Sequence, residues 1–416
     1  NNIDRSDIIL DSKDKNVHIN GKLSDEIIKY YNDSRPTKKE NKVKRYLLEF
    51  LNIKVNELLS KDGNNGINIH LFGSISNELD RKGCDIDVGI DSYGLASYIR
   101  PNNKFNNGKE MGLYDAWHVN YWATYMDKNK VRSILRNLAK KLSSHKMKDG
   151  EQLVNFDVNF ISKATVPIIK LYDPMYSLNM DISYFRNNDL AVKIVNTYVH
   201  WYRNLDKNSH SKVLQLFIGI KNWTYKRGIN DAASNKINSF GYNIMIIKYL
   251  QQTNPCILPI LEWNYCKKNE NKINDINRVN DDGFNKYYYN SKMYKYLGYK
   301  VLKKPKQKTI TLNVGKLFYG FFEYYSNFDF DRSEVNIHTI GIHSKNNFIN
   351  NNQSKKRSSF VIRDPVTFDN NCARNVTDQS LMIIKHEIFR AKKILKNGGN
   401  FDMLLNGNLD TNKKRH

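Results

Sequence analysis

The apolar positions fall into two regimes. Up to about residue 195, helical and strand-like spacings alternate; beyond it the spacing is helical almost throughout. A polar lead-in covers 1–20. A helical stripe follows over 23–31. Past Ser34-Arg-Pro-Thr37 comes a longer one over 43–59, where Val43, Leu47, Phe50, Leu51, Val55 and Leu58 recur near every 3.6 residues. Gly63 and Gly66 break that helix, and Ile67, Ile69 and Leu71 mark a strand. Residues 101–112 read as a polar loop, and Val131, Ile134, Leu135, Leu138 and Leu142 as a helix. Two strands, 164–172 and 178–183, flank a turn at Asp173-Pro174. From 196 on, stripes predict helices over 211–227, 239–251, 314–326 and 378–396. Polar stretches at 264–285 and 344–358 read as surface insertions.

One stretch departs from simple patterning. The strand ending at Phe72 runs into Gly73-Ser74, and eleven positions after Ser74 come Asp85 and Asp87, separated by Ile86. Side chains on a strand alternate faces, so the two carboxylates share one face and Ile86, Val88 and Ile90 the other. Carboxylates that close repel unless a cation sits between them, and Mg²⁺ beside phosphate oxygens is the simplest such cation. A Gly-Ser turn just upstream offers unhindered N–H groups and a hydroxyl to those phosphates. The bland alternative is a turn and a strand with two solvated aspartates. A third carboxylate, Asp181, lies inside an apolar strand between Met180 and Ile182, where it is costly unless paired or metal-bound.

Charge narrows the class of partner. The 416 residues carry a formal net charge of +24, which favours a polyanion, nucleic acid before membrane. The abundance of Asn and Lys is also what an AT-rich coding genome produces. The four cysteines have no zinc or disulfide spacing. No signal peptide and no apolar run of membrane-spanning length is present, so an intracellular protein without a membrane anchor is expected. The chain begins at Asn1 rather than Met, which leaves room for a targeting segment ahead of it.

Further motifs, in order, tie these pieces together. They are Arg35-Pro-Thr37, Val166-Pro-Ile-Ile-Lys170, Asn188-Asp-Leu-Ala191 with Asn196-Thr197, and Ile220-Lys-Asn-Trp223 with Lys226-Arg-Gly-Ile-Asn230. Ser239-Phe-Gly-Tyr242, Leu258-Pro259, Gly320-Phe-Phe-Glu-Tyr-Tyr325 and Asp364-Pro365 through Asn370-Asn-Cys-Ala-Arg374 follow. With Gly73-Ser74 and the three aspartates, the sequence resembles the RNA terminal nucleotidyltransferases, the terminal uridylyltransferase and related poly(A) polymerase branch of the DNA polymerase β-like superfamily. The likeness covers about 24–396.

That resemblance implies an α+β fold. A nucleotidyltransferase domain over 41–195, with helices on a mixed sheet, would pack beside a mostly helical central domain built from 1–40 and 196–400, with the nucleotide in the cleft. The nucleotide-recognition stretch would be 360–376, the insertions 264–312 and 344–358, and the tail 401–416. The implied reaction is attack of an RNA 3′-hydroxyl on the α-phosphate of a nucleoside triphosphate, with two Mg²⁺ or Mn²⁺ ions held by Asp85, Asp87 and Asp181. Asp181 would also orient or deprotonate the hydroxyl. Phe72, Gly73, Ser74, Lys221 and Ser239 would surround the triphosphate. A second family lysine normally stands four residues after Lys221, but here that residue is Tyr225, with Lys226 next to it. Phe240 aligns with the ring that stacks on the base. Asn188, Ala191, Asn196 and Thr197 align with residues around the ribose and base.

The choice of nucleotide rests on the recognition stretch. Uridylyltransferases often carry a His before its Asn, where Asn370 stands here, and an acid where Thr367 stands. Both departures lean toward ATP over UTP. The implied partners are an RNA 3′ end, ATP or UTP, and a protein complex that supplies RNA specificity. No RRM, KH or zinc-knuckle signature is present. From Lys286 to Lys308 there are eight lysines, six tyrosines and no acid, and Lys292, Lys295, Lys303 and Lys304 are the expected RNA contacts. Two other classes of reading compete: an inactive RNA-binding scaffold, against which the intact carboxylate set argues, and an enzyme with another acceptor, such as a second-messenger synthase, against which the recognition stretch argues.

Overall fold

The computed structural model describes residues 8–9, 22–60, 68–91, 128–144, 147–149, 152–154, 156–163, 167–184, 188–265, 297–305, 312–345, 358–365 and 370–406. The chain forms two compact units, one of residues 34–193 and 264–298, the other of 1–33, 194–263 and 299–416.

Strand alternation builds the first unit. Helix α1 (Lys22–Ser34) belongs, but for its last residue, to the other unit, and α2 (Lys38–Ser60) opens this one. The sheet strands are β1 (Asn68–Phe72), β2 (Ile86–Asp91), β3 (Asp157–Ile161), β4 (Ile168–Asp173) and β5 (Leu178–Tyr184). The one-turn helix α3 (Gly73–Ser76) follows β1, and α4 (Lys128–Ser144) precedes β3. The sheet is mixed, in the order β1-β2-β5-β4-β3, with β2 and β5 parallel and the other pairs antiparallel.

One face of the sheet is apolar and takes the helices. Ile69, Leu71, Ile86, Val88, Ile90, Ile169, Leu171, Met180 and Ile182 form a single core with Leu47, Leu51 and Val55 of α2 and Leu135 and Leu138 of α4. Each Å² of apolar surface buried at this face contributes roughly 25 cal/mol to the unit's cohesion. The alternate residues Asp87, Lys170 and Asp181 are left for the opposite face.

The second unit is helical. The carboxy-terminal part of α5 (Asn188–Val199) joins α6 (Lys207–Lys226), α7 (Ser239–Gln252), α8 (Val314–Ser326), α9 (Asp378–Lys396) and α10 (Phe401–Asn406). Side-chain caps start several of them. Asp206 accepts from the N–H groups of Asn208 and Ser209, Asn238 from Gly241, and Thr377 from Ser380. The core is aromatic: Trp223 meets Phe322 edge-on at 4.8 Å, and Phe318, Phe321, Tyr324 and Tyr325 continue the cluster. Gly320 lets Tyr249 close in, since a Cβ there would lie 2.3 Å from the tyrosine hydroxyl.

Three expectations need correction. The Gly-Ser turn is the start of a helical turn, α3, and Asp85 precedes β2 rather than lying on it. The stretch expected to be an insertion over 264–312 contributes a strand, β7 (Leu297–Lys303), paired with β6 (Ile260–Tyr265). Residues 401–406 of the expected tail form helix α10, with Phe401, Leu404 and Leu405 buried at 3%, 0% and 3% exposure, while 407–416 lie outside the described residues. The loop expected at 101–112 lies outside the described residues.

Candidate active site

The register of the sheet assembles a row of side chains across four strands. Phe72 of β1 stands opposite Asp87 of β2, Asp87 beside Asp181 of β5, and Asp181 opposite Lys170 of β4. Cross-strand neighbours share a face, so the row lies on the side away from the apolar core. Asp85, one residue ahead of β2, is exposed, and its Oδ1 accepts a hydrogen bond from Asn179 Nδ2 at 3.2 Å. Asn179 is two residues from Asp181 on the same strand, so it holds the loop carboxylate on the side of the strand carboxylate.

Asp181 is nearly buried, at 9% exposure. Its two oxygens accept from Lys170 Nζ at 3.2 and 3.0 Å. Burial pushes the Asp181 carboxyl above its ordinary range; Lys170 pulls it back, and the Asp85 charge adds to the rise. The Lys170 ammonium is held above its ordinary value, chiefly by its hydrogen bond to Asp181, with the charges of Asp181, Asp85 and Asp87 adding to it against partial burial. Lys170 and Asn179 join the site through strand register and are not marked as site residues by the sequence pattern. The hairpin around Asp173-Pro174 carried the signal for the lysine. Pairing Asp173 with Leu178 sets Lys170 opposite Asp181.

Gly73 closes over this row. Its φ of +69° is a left-handed conformation that favours glycine, and a Cβ there would fall 2.0 Å from Asp87 Oδ2. The backbone leaving β1 thus passes directly against the carboxylate. Ser74 is half-buried, with its hydroxyl 4.0 Å from Cys84 Sγ. The donor set is three carboxylates, all hard oxygen ligands with no thiolate or imidazole among them, and such a set suits Mg²⁺ or Mn²⁺.

The other predicted residues lie on helices. Lys221 is half-buried on α6, and Lys226, its last residue, is exposed. Five residues turn a helix by about 140° beyond a full turn, so the two lysines do not share a face; Tyr225, one turn past Lys221, does. Ser239 opens α7, and Phe240 beside it is half-buried. The Ser239 hydroxyl is within 2.8 Å of Asn230 Nδ2 and 3.2 Å of its Oδ1. On α5, Ala191 is buried while Asn196 and Thr197 are half-buried, and Asn188 opens the helix. Thr197 lies six residues past Ala191, about 120° away from it around the axis, so the four positions do not form one face.

Asn370 is tied at both ends of its amide. Its Nδ2 donates to Asp364 Oδ2 at 3.2 Å, and its Oδ1 accepts from Arg374 at 3.2 Å. Asn371 is the bolt of this stretch. Buried at 2% exposure, it donates to the Phe360 carbonyl and accepts from the N–H groups of Ile362 and Ala373. His338 Nε2 meets the Pro365 carbonyl at 3.1 Å. Burial lowers the His338 pKa, against the pull of the Leu261 and Pro365 carbonyls. Lys303 and Lys304 are exposed, whereas Lys292, Lys295 and Thr367 lie outside the described residues.

Comparison with known proteins adds the family. The model for the central palm domain of mitochondrial-like poly(A) RNA polymerase matches residues 23–200, and that for the Cid1 family of poly(A) polymerases matches 313–370. Together they cover more than half of the chain. The chain belongs to the RNA terminal nucleotidyltransferase family. Poly(A) RNA polymerase cid11 of Schizosaccharomyces pombe is 24% identical over 91% of this chain and 64% of its own length. Human terminal uridylyltransferase 7 is 25% identical over 88% of this chain. The chain spans only 20% of that second relative. A likeness of fold extends to the Cid1 poly(U) polymerase, solved as a His-to-Asn variant bound to MgATP. Its TM-score is 0.59 at 19% identity, over 92% of this chain and 98% of that one.

Proposed function

We propose that this terminal nucleotidyltransferase adds nucleoside monophosphates to RNA 3′ ends and prefers ATP to UTP. The observation that carries the reaction is the row Asp87–Asp181–Lys170 on the polar face of the sheet, with Asp85 tied beside it and Gly73 against it. Mg²⁺ or Mn²⁺ held by Asp85, Asp87 and Asp181 would neutralise the triphosphate and acidify the 3′-hydroxyl. Asp181, whose carboxyl burial already holds above the ordinary range, would receive the hydrogen bond of the attacking hydroxyl and orient it. Ser74, and on the helical unit Lys221 and Ser239, would donate to phosphate oxygens. Phe240 would stack on the base.

The preference for ATP rests on Asn370. Its amide keeps one N–H and one oxygen lone pair beyond those used by Asp364 and Arg374. That donor–acceptor pair can meet the amino group and ring nitrogen of adenine and equally the N3–H and carbonyl of uracil, so the lean to ATP comes from the absence of a histidine at this position and not from the pairing capacity of the amide. By the family resemblance Asn370 stands where uridylyltransferases often carry a histidine, and the Cid1 poly(U) polymerase has been solved as a His-to-Asn variant bound to MgATP. Extension of an oligo(A) primer with each of the four nucleotides tests it. ATP is expected to extend best; better extension with UTP under the same metal and salt would reverse the assignment. For the RNA, the exposed Lys300, Lys303 and Lys304 on and after β7 are the proposed phosphate contacts.

A further inference from the structure

The loop between α3 and β2 joins the two halves of the catalytic apparatus, Ser74 at one end and Asp85 at the other. Polar loops of this kind are normally mobile, yet the chain segment 34–44 holds this one at Glu78, Asp80, Lys82, Gly83 and Cys84. Arg35 donates to the carbonyls of Glu78 and Asp80, at 2.7 Å each, and pairs with the Asp80 carboxylate at 3.3 Å. The carbonyl of Ser34 accepts from Lys82 N at 2.9 Å, and Glu40 accepts from Gly83 N at 2.9 Å.

At the centre is Lys44, whose side chain has no solvent exposure at all. Its ammonium lies 2.8 Å from Glu40, 3.4 Å from Asp80 and 3.5 Å from Cys84 Sγ. Burial alone would lower its pKa, but Cys84, Glu40 and Asp80 outweigh that and hold it above the ordinary lysine value. A buried charge cluster is a poor way to gain stability, since an apolar core of the same volume does as well or better. What it provides is a fixed geometry, and here the fixed points are residues 78, 80, 82, 83 and 84, ending next to Asp85.

We infer that Lys44 is a positioning residue for the metal carboxylates: with Arg35, it sets the 77–85 loop so that Asp85 stands beside Asp87. This rests on the reading of Asp85 and Asp87 as metal ligands, and the experiment separates the two claims. Mn²⁺ alone is titrated into the full chain and free Mn²⁺ is followed by electron paramagnetic resonance, with thermal unfolding recorded for each variant. Asp87→Ala is expected to lose tight Mn²⁺ binding. Lys44→Met is expected to weaken it at least ten-fold at a temperature where the variant is folded. Leu51→Ala, a core deletion on the same helix, is expected to unfold earlier yet bind Mn²⁺ as the parent does.

Unchanged binding in Asp87→Ala would overturn the ligand reading itself. Lost binding in Asp87→Ala with parent-like binding in Lys44→Met would overturn the positioning role alone, as would equal losses in Lys44→Met and Leu51→Ala. If Lys44→Met does not fold, Arg35→Gln decides: a several-fold weakening supports the brace, and no change removes it.

Discussion

Gly73 is the residue on which the geometry bears hardest. Alanine there meets two obstacles, a positive φ and a Cβ driven into the Asp87 carboxylate. Gly73→Ala is therefore expected to cut nucleotide addition by a factor of 100 or more while circular dichroism stays that of the parent. A folded, fully active variant would show that the backbone does not need to approach Asp87. The glycine, the serine and the three aspartates were all legible in the sequence, because their chemistry is unusual for a turn and two strands. Lys170 and Asn179 were not, since each looks like an ordinary polar residue on a strand until register supplies its partner. Nor could sequence reveal that Asn370 is held by Asp364 and Arg374, which is a matter of side-chain reach across a loop.

Elements were legible where their periodicity was long. Helices expected over 239–251, 314–326 and 378–396 are Ser239–Gln252, Val314–Ser326 and Asp378–Lys396. Short elements were missed, as with α3 and α10, because one turn of helix carries too few apolar positions to declare a period. Helix α7 carries Ser239 and Phe240 on its first turn, and the Asn238 side chain caps it through Gly241 N at 2.8 Å. Asn238→Ala is expected to cost about 1 kcal/mol in urea unfolding and to raise the KM for the nucleotide, since fraying would free both residues.

Farther along α7, Lys248 is fully buried and donates to the carbonyls of Thr339 and Gly341. Burial lowers its pKa to about 7, against the pull of Glu334 and with a push from Lys303. A neutral amine has two N–H donors for these two carbonyls, so the neutral form suits the site. The unfolded lysine keeps its proton to about pH 10.4, so between about 7 and 10 the unfolded state binds more protons and stability rises with pH. Against this, Lys248→Met is expected to flatten that rise, measured as the difference in unfolding free energy between pH 7 and pH 9. A parent-like slope in the variant would place the pH dependence elsewhere.

At the scale of the whole molecule, charge and division into units matter most. With a net charge of +24, RNA binding is expected to weaken steeply with salt. If Lys303 and Lys304 contact phosphates, the double Gln variant flattens the log–log salt dependence by about 0.7 per lysine, and an unchanged slope would exclude them. The composition shift near 195 was legible, and the structure divides between Lys193 and Ile194. The central claim is that Asp85, Asp87 and Asp181 make this chain a terminal nucleotidyltransferase. Its most direct test is primer extension by the purified chain and by folded Asp87→Ala, with an oligo(A) RNA, Mg²⁺ and each nucleotide in turn. The account predicts extension by the parent, greatest with ATP, and none by the variant; equal extension by both, or none by the parent with any nucleotide, would contradict it.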